Sequence, residues 1–458
     1  MLSMKMSQAL LWIHGMLVRR QMDNKKIRVL VITLDSWNIN NVTGSTMSSI
    51  FEGIEDFEIA NIYLRNGIPN NRIVDNYFQI TNTQIVRSII KGGKAGKVII
   101  NKDINEENSN DINIKKKGIT KFIYAHKWQV FYWVEELLWA TQKWKSDSLK
   151  KFVSTFNPDV IFLPIFYNCY TNKVGLYIKK ITNKPLISYI SDDNYTLKQF
   201  NLSPLYWIDR FIKRPVIKKV IKESTKLYVI SDVEKKDMDN IFHINSTILT
   251  KGDDFSLPYE GKKHLNVPYR LTFLGGLGNN RDKTLLEFAN CINEFNILKE
   301  EIIFTLDIYS RTYKDDEYIS RLNKMDGICF HGPIKSSLID SVYQHSDILV
   351  HLEPKDLKNR LYYHHSFSTK IVDCMKAQRC ILSFGGSTGT TEYLRNHDCA
   401  MVINNRKQLF SLLEQITYCP NLLNEYACKA YQDGKIYHSR FDIQNKLVKD
   451  FYKVCNNK

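Results

Sequence analysis

The apolar run Arg270-Leu271-Thr272-Phe273-Leu274 passes straight into Gly275-Gly276-Leu277-Gly278-Asn279-Asn280, and a helical pattern starts at Thr284-Leu285-Leu286-Glu287-Phe288. A strand, a glycine turn and a helix start in that order leave few folds open. They make a β-α unit, whose next strand lies parallel to the first in the same sheet. Glycines let the backbone come close to a bound group and the helix start offers unpaired N–H donors, so the arrangement suits a phosphate. Many such loops are no more than tight turns, and this one alone does not decide. The pattern recurs. Ile27-Arg28-Val29-Leu30-Val31-Ile32 is a buried strand, and beyond it Val42-Thr43-Gly44-Ser45-Thr46 opens a helix. Residues 159–163, 185–190 and 227–231 read as further parallel strands, and 306–310 and 328–333 continue a second series. The class is α/β.

A second helix start carries more chemistry. Phe367-Ser368-Thr369-Lys370-Ile371-Val372-Asp373-Cys374-Met375 reads as a polar loop running into an amphipathic helix. Ser368 and Thr369 offer N-cap hydroxyls, Lys370 places an ammonium in the first turn, and Ile371, Val372 and Met375 face a core. The dipole and free N–H groups of such a start suit a nucleotide diphosphate. Asp373 offers a carboxylate for a ribose hydroxyl, as acidic residues do in other nucleotide-binding folds. At the glycine loop, Arg281 and Lys283 add cations where a leaving diphosphate would build up charge. An ordinary capped helix could use the same residues, but two phosphate-suited starts within one domain are less easily dismissed.

At 458 residues the chain exceeds what one core usually supports, and its 43% hydrophobic and 24% charged residues are those of a globular protein. No apolar run approaches the roughly 18–20 residues that span a bilayer. The segment Ala9-Leu10-Leu11-Trp12-Ile13 precedes Arg19-Arg20, the reverse of a secretory signal. It reads as a frayed helix, a membrane-surface anchor or an extension from an upstream start. Nine Cys without paired spacing point to reduced thiols in a cytoplasmic enzyme, with no disulfide framework and no zinc site. Residues 91–120, rich in Lys, Gly, Asn and Asp, read as a flexible insertion. The aromatic stretch Trp128, Phe131, Tyr132, Trp133, Trp139 and Trp144 reads as a core-packing helix, with acceptor binding the alternative.

Taken in order, these segments resemble the GT-B glycosyltransferases of the glycosyltransferase family 4-like group. Their donor domain closes on a segment similar to Ser-Lys-x-x-Glu-x-Met, which here runs Thr369-Lys370-Ile371-Val372-Asp373-Cys374-Met375. Ser346-Asp347-Ile348-Leu349-Val350-His351-Leu352-Glu353 resembles the family's small-Asp-apolar strand, and Phe384-Gly385-Gly386-Ser387 with Glu392-Tyr393-Leu394 resembles its next loop and helix. In the first half, Gly44-Ser45-Thr46-Met47-Ser48-Ser49-Ile50-Phe51, Ala60-Asn61-Ile62-Tyr63, Asp75-Asn76-Tyr77-Phe78 and Tyr189-Ile190-Ser191-Asp192-Asp193 look like capsular and exopolysaccharide transferases. The resemblance covers roughly residues 27–445. It implies two Rossmann-like α/β/α domains facing each other across a cleft. The expected division is an extension at 1–26, an acceptor domain at 27–255, a linker at 256–269 and a donor domain at 270–435. A C-terminal helix at 436–458 is expected to cross back to the first domain.

The resemblance further implies transfer from a nucleotide-sugar, a UDP-sugar, to a lipid-linked or growing polysaccharide, with retention and without a metal or other cofactor. Arg281, Lys283 and Lys370 are the expected catalytic cations on the diphosphate. Gly275, Gly276, Ser368, Thr369 and Asp373 are the expected donor-binding residues, with His351, Glu353 and His365 in the sugar pocket or as ordinary buried groups. Gly44, Ser45 and Thr46 stand either at the donor or acceptor across the cleft or in a plain β-α turn. Asp192 and Asp193 are either acceptor-binding groups or a helix N-cap pair. The chain also departs from the family. Many members carry two Glu eight positions apart, where this one has His365 and Asp373, and Gly276 stands where many have Arg.

Most of the formal +16 falls in the first 250 residues. Lys213-Arg214, Lys218-Lys219 and Lys222 recur beside Trp207, Ile208 and Phe211 at spacings that could line one side of a helix. Such a helix suits an anionic membrane surface, hence a place at the inner face of the plasma membrane, or a phosphorylated acceptor. A solvated lysine-rich face is the alternative. Nucleic acid is excluded as a partner by the absence of any zinc pattern, RNA-binding aromatic motif or repeat. Two further activities compete with transfer: a degenerate subunit that binds a partner or nucleotide without turnover, and a nucleotide-sugar epimerase.

Overall fold

A computed structural model describes residues 26–100, 129–262, 264–312 and 314–456. The first strands are β1 (Ile27–Thr33), β2 (Phe57–Tyr63), β3 (Asn76–Gln79) and β4 (Lys97–Ile100). They are followed by β5 (Val160–Pro164), β6 (Leu186–Ile190), β7 (Lys226–Val229) and β8 (Thr247–Ile248). These eight form one sheet in the order β4-β3-β2-β1-β5-β6-β7-β8, parallel except for β4. The second sheet comprises β9 (Tyr269–Leu274), β10 (Phe304–Tyr309), β11 (Ile328–Gly332), β12 (Ile348–Leu352), β13 (Cys380–Phe384) and β14 (Met401–Ile403). Its order is β11-β10-β9-β12-β13-β14, all parallel. Each sheet reverses its winding once, between β1 and β5 and between β9 and β12. Ligands of doubly wound sheets collect beyond the carboxyl ends of strands at that point.

Both faces of each sheet are covered, which is why the strands read as unbroken apolar runs rather than alternating ones. Val29, Leu30, Val31 and Ile32 are all fully buried. Val29 and Val31 meet Met47, Ile50 and Phe51 of helix α1 (Val42–Phe51), while Leu30 and Ile32 pack on the opposite face with Leu149, Val153 and Val174. Eight helices matter below. They are α1; α2 (Gln129–Ala140); α3 (Pro204–Glu223); α4 (Asp232–Phe242); α5 (Arg281–Lys299); α6 (Lys370–Lys376); α7 (Gly389–Asn396); and α8 (Arg440–Asn456).

The chain passes between the sheets twice. Among the described residues no helix and no strand of a sheet lies between Ile248 and Tyr269. Around Asp253 the two crossings bind each other: Asp253 N–H donates to the His438 carbonyl (2.9 Å) and Arg440 N–H to the Asp253 carbonyl (2.9 Å). Beyond this bridge, α8 lays Leu447, Val448, Phe451 and Val454 on the first sheet's core. Asp450 there accepts from Tyr228 (2.8 Å) and pairs with Lys226 (3.0 Å). No described helix is long and apolar enough to cross a membrane.

Several local expectations change. Part of the insertion read at 91–120 is ordered: Lys97–Ile100 closes the sheet edge as an antiparallel strand on β3. The rest of it from 101 on lies outside the described residues, as do Trp128 and the N-terminal segment before Lys26. The aromatic helix divides its residues. Trp139 is buried and stacks on Tyr170 at 4.5 Å, whereas Tyr132 is exposed.

Gly44 has a steric reason to be glycine. It lies in the first turn of α1, where a Cβ would fall 2.1 Å from the carbonyl oxygen of Asn38. In an open helix Gly→Ala gains about 1 kcal/mol. Here Gly44→Ala should instead destabilise the fold by about 1–3 kcal/mol, the cost of forcing atoms into a packed site. Urea unfolding of the two proteins gives the sign.

Candidate functional site

The carboxyl ends of β9 and β12 frame a cavity of about 170 Å³ at the reversal point of the second sheet. Gly275, Gly276, Arg281, His351, Ser368 and Lys370 all line it. Residues from the glycine loop and from the loop before α6, almost a hundred positions apart, thus share one wall. Gly275 permits this closeness: a Cβ there would press on the Phe273 ring at 2.8 Å and stand 3.5 Å from Lys370 Nζ.

The cavity's charges are arranged in two layers. Glu353 is buried behind it with a side chain 1% exposed. Arg281 Nη2 donates to Glu353 Oε2 (2.9 Å), and His351 Nε2 lies 3.0 Å from Oε1. Burial works against the Glu353 charge, but His351 and then Arg281 outweigh it and hold the carboxyl below its usual range. Arg281 is held further by the Leu352 carbonyl (3.1 Å) and by the ring of Tyr363, which its guanidinium faces at 4.3 Å.

In front stands Lys370. Among the described residues it makes no hydrogen bond or ion pair. Burial in the recess, and then the positive charge of Arg281, pull its ammonium below the ordinary lysine range, and Arg311 adds to that repulsion. Arg311 and Thr312 were not singled out from sequence. They follow β10 directly, and position after a parallel strand was the signal that could have found them. Thr312 Oγ1 accepts from Leu277 N–H (2.9 Å) and so fixes the glycine loop.

Other sequence candidates lie elsewhere. Lys283 is exposed on α5 and does not line the cavity. Ser368 and Thr369 do not cap α6 with their hydroxyls, because Thr369 already has helical dihedrals (φ −59°, ψ −19°) and its side chain makes no cap bond. The Ser368 carbonyl instead accepts from Ile371 N–H (3.0 Å). Asp373 is bound by Lys251 from the crossing segment, yet burial still raises its carboxyl above the usual range.

His365 does not line this cavity and takes the buried setting that was its other reading. It is fully buried between the halves, with Nε2 2.7 Å from Asp237 Oδ2 of α4, and its carbonyl accepts from Ser231 Oγ (2.6 Å). Asp193 is likewise structural, neither helix cap nor free acceptor ligand. It is 8% exposed, accepts from Thr196 N–H (2.7 Å) and pairs with Arg210 at 2.9 Å. Its neighbour Asp192 stays exposed beyond β6, near enough to Tyr362 of the second half for its charge to act on that phenol. Ser45 is exposed on the first turn of α1, and Thr46 bonds back to the Val42 carbonyl (2.9 Å).

A larger cavity of about 550 Å³ lies at the junction of α4, α7 and α8 and shares no lining residue with the first. Its walls include Tyr228, Phe367, Tyr393 and Leu447, with Asp232, Glu392 and Asp442 against a single lysine, Lys446. Mainly apolar and edged with acids, it is unsuited to a diphosphate.

No family model matches the sequence, and no curated protein matches it. Solved structures do match in three dimensions. Alr3699/HepE of Anabaena in complex with UDP superposes with a TM-score of 0.59 at 10% identity, over 93% of this chain and all of that one. TarM gives 0.58 at 9% identity over 95% and 100%. A glycosyltransferase from Rickettsia africae gives 0.54 at 14% identity over 95% and 100%. The fold is GT-B.

The Asp193–Arg210 pair yields a prediction. Arg210→Ala leaves Asp193 buried without its partner and should cost about 3–5 kcal/mol. Denaturant unfolding measures it, and adding Asp193→Ala should recover part of the loss.

Proposed function

We propose that this GT-B chain is a glycosyltransferase that moves a sugar from a UDP-sugar to a lipid-linked or growing polysaccharide acceptor. Lys370 carries the reading. An ammonium without an ion-pair partner among the described residues faces a glycine loop at a sheet's reversal point, with Arg281 in the same cavity wall and Arg311 near enough to repel it. Glu353 serves Arg281, so the group of cations lacks an anion that a diphosphate would supply. Breaking the sugar–phosphate bond builds negative charge on the diphosphate, and fixed cations stabilise that charge most in the transition state. UDP as the nucleotide draws support from the HepE complexes with UDP and with UDP-glucose.

In this reading residues 270–435 hold the donor, 27–255 face the acceptor with Ser45, Thr46 and Asp192, and 256–269 link them. Transfer proceeds with retention, by attack on the same face as the departing diphosphate. Glu353 and Asp373 are each held by cations, which disfavours either as a nucleophile. Arg281 and Lys370 do the work that a divalent ion would do elsewhere. The group belongs with the family 4-like enzymes of capsule, exopolysaccharide or O-antigen assembly, acting at the inner face of the plasma membrane. A non-catalytic subunit is the competing reading. It is favoured by His365, buried where many relatives carry a Glu near the donor sugar.

Calorimetric titration with UDP, GDP and ADP tests the site. UDP should bind selectively, and Lys370→Ala should weaken it about tenfold to a hundredfold, the worth of a hydrogen bond to a charged group. Absence of nucleotide binding overturns the proposal. Hydrolysis of a UDP-sugar separates an active transferase from a binding subunit.

Lys370 also sets a pH dependence. Its charged form binds the diphosphate and its pKa lies below that of an ordinary lysine. UDP affinity should therefore fall as pH rises through the alkaline range, earlier than free lysine titrates. Lys370→Arg, which keeps its charge there, should flatten that fall.

A further inference from the structure

Helix α3 hides the charges it was expected to show. Lys213 pairs with Asp209 at 3.0 Å, both side chains under 5% exposed, and its ammonium stands over the Tyr167 ring at 4.2 Å. Arg210 is buried on Asp193, and Arg214 donates to the Tyr195 carbonyl (3.0 Å). The face left to solvent is apolar: Leu205, Ile208, Phe211 and Ile212 are 43–58% exposed, and Leu202 just before the helix is 85% exposed. Positions 205, 208 and 212 fall along one stripe at helical spacing, which Pro215, Lys219 and Lys222 continue. Lys218, Lys219 and Lys222 are exposed and make no ion pair or hydrogen bond among the described residues. Glu223, the acid beside them, is taken by Lys179.

Helix α2 extends the surface. Trp133 donates to Asp209 (2.8 Å) and fixes α2 beside α3, leaving Val134 and Leu137 57% and 69% exposed. Exposed apolar side chains grouped on neighbouring helices in this way mark an interaction site. Its position is set by the Asp193–Arg210 pair, which pins the first turns of α3 to the carboxyl end of β6. Asp192 follows there, its charge felt by Tyr362 of the second half. The helix that carries the apolar face is therefore anchored beside the carboxyl end of β6.

We propose that this face docks on an anionic lipid bilayer. Its apolar first half enters the boundary between headgroups and acyl chains, and Lys218, Lys219 and Lys222 lie against the phosphates. Charge selects this occupant. The chain carries a formal +16, and a second copy would bring the same free cations against apolar or cationic surface. Docking here would bring the carboxyl end of β6 near the membrane, where a lipid-linked acceptor would be presented. The inference does not depend on the nucleotide chemistry.

Flotation of the full chain with phosphatidylcholine vesicles, with and without a minority of phosphatidylglycerol, tests it. Two triple variants accompany the wild type: Ile208→Ser, Phe211→Ser, Ile212→Ser, and Lys218→Glu, Lys219→Glu, Lys222→Glu. All six residues face solvent, and thermal unfolding near the wild-type midpoint checks that both variants fold. The wild type should float with the anionic vesicles, and each variant should bind them at least about tenfold less. A wild type that stays unbound overturns the proposal. So does a serine variant that binds like the wild type, which would leave only surface charge. A wild-type dimer that the serine changes dissolve would assign the face to a second copy instead.

Discussion

The buried pair between Arg281 and Glu353 is the contact on which the cavity rests. It ties the first residue of α5 to the end of β12 across the reversal point, and it does so with a carboxylate 1% exposed. Two charges taken out of water repay their desolvation only when further hydrogen bonds complete them. Here His351 completes the carboxylate, while the Leu352 carbonyl and the Tyr363 ring complete the guanidinium. The backbone behind is equally constrained: a Cβ at Gly385, where φ is +139°, would fall 2.1 Å from the Glu353 carbonyl oxygen. Because Glu353 serves Arg281, Lys370 in front pairs with no carboxylate among the described residues. The back wall is fixed by paired charges, and Lys370 stands in front of it.

The relation between the sheets is held by different chemistry. His365 reaches from the second half into the first, where its ring meets Asp237 and its carbonyl takes the Ser231 hydroxyl. Lys376 binds Asp253 at 2.8 Å and Lys251 binds Asp373, so four contacts cross near the same loop that carries Ser368 and Lys370. That loop is thereby positioned by both halves.

The β-α order, both glycine loops and Lys370 were legible in the sequence because local requirements force them. Gly275 and Gly44 stand where backbone or side chain comes too close for a Cβ, and a short apolar run bounded by turn residues reads as a strand buried on two faces. What stayed hidden depends on partners distant in sequence. Nothing near His365 announces Asp237, and nothing near Asp373 announces Lys251. The hydroxyls of Ser368 and Thr369 looked like caps because residue type was visible and backbone dihedrals were not. Lys213 was misread as a surface charge although Asp209, one turn earlier, was the sequence sign of its pairing.

The most direct test is a crystal structure of the chain with UDP. The diphosphate is expected between Gly275-Gly276 and Ser368-Lys370, with an oxygen in hydrogen-bond reach of Lys370 Nζ. A nucleotide seated instead in the apolar cavity beside Phe367, Tyr393 and Leu447, or nowhere in the second half, would contradict it.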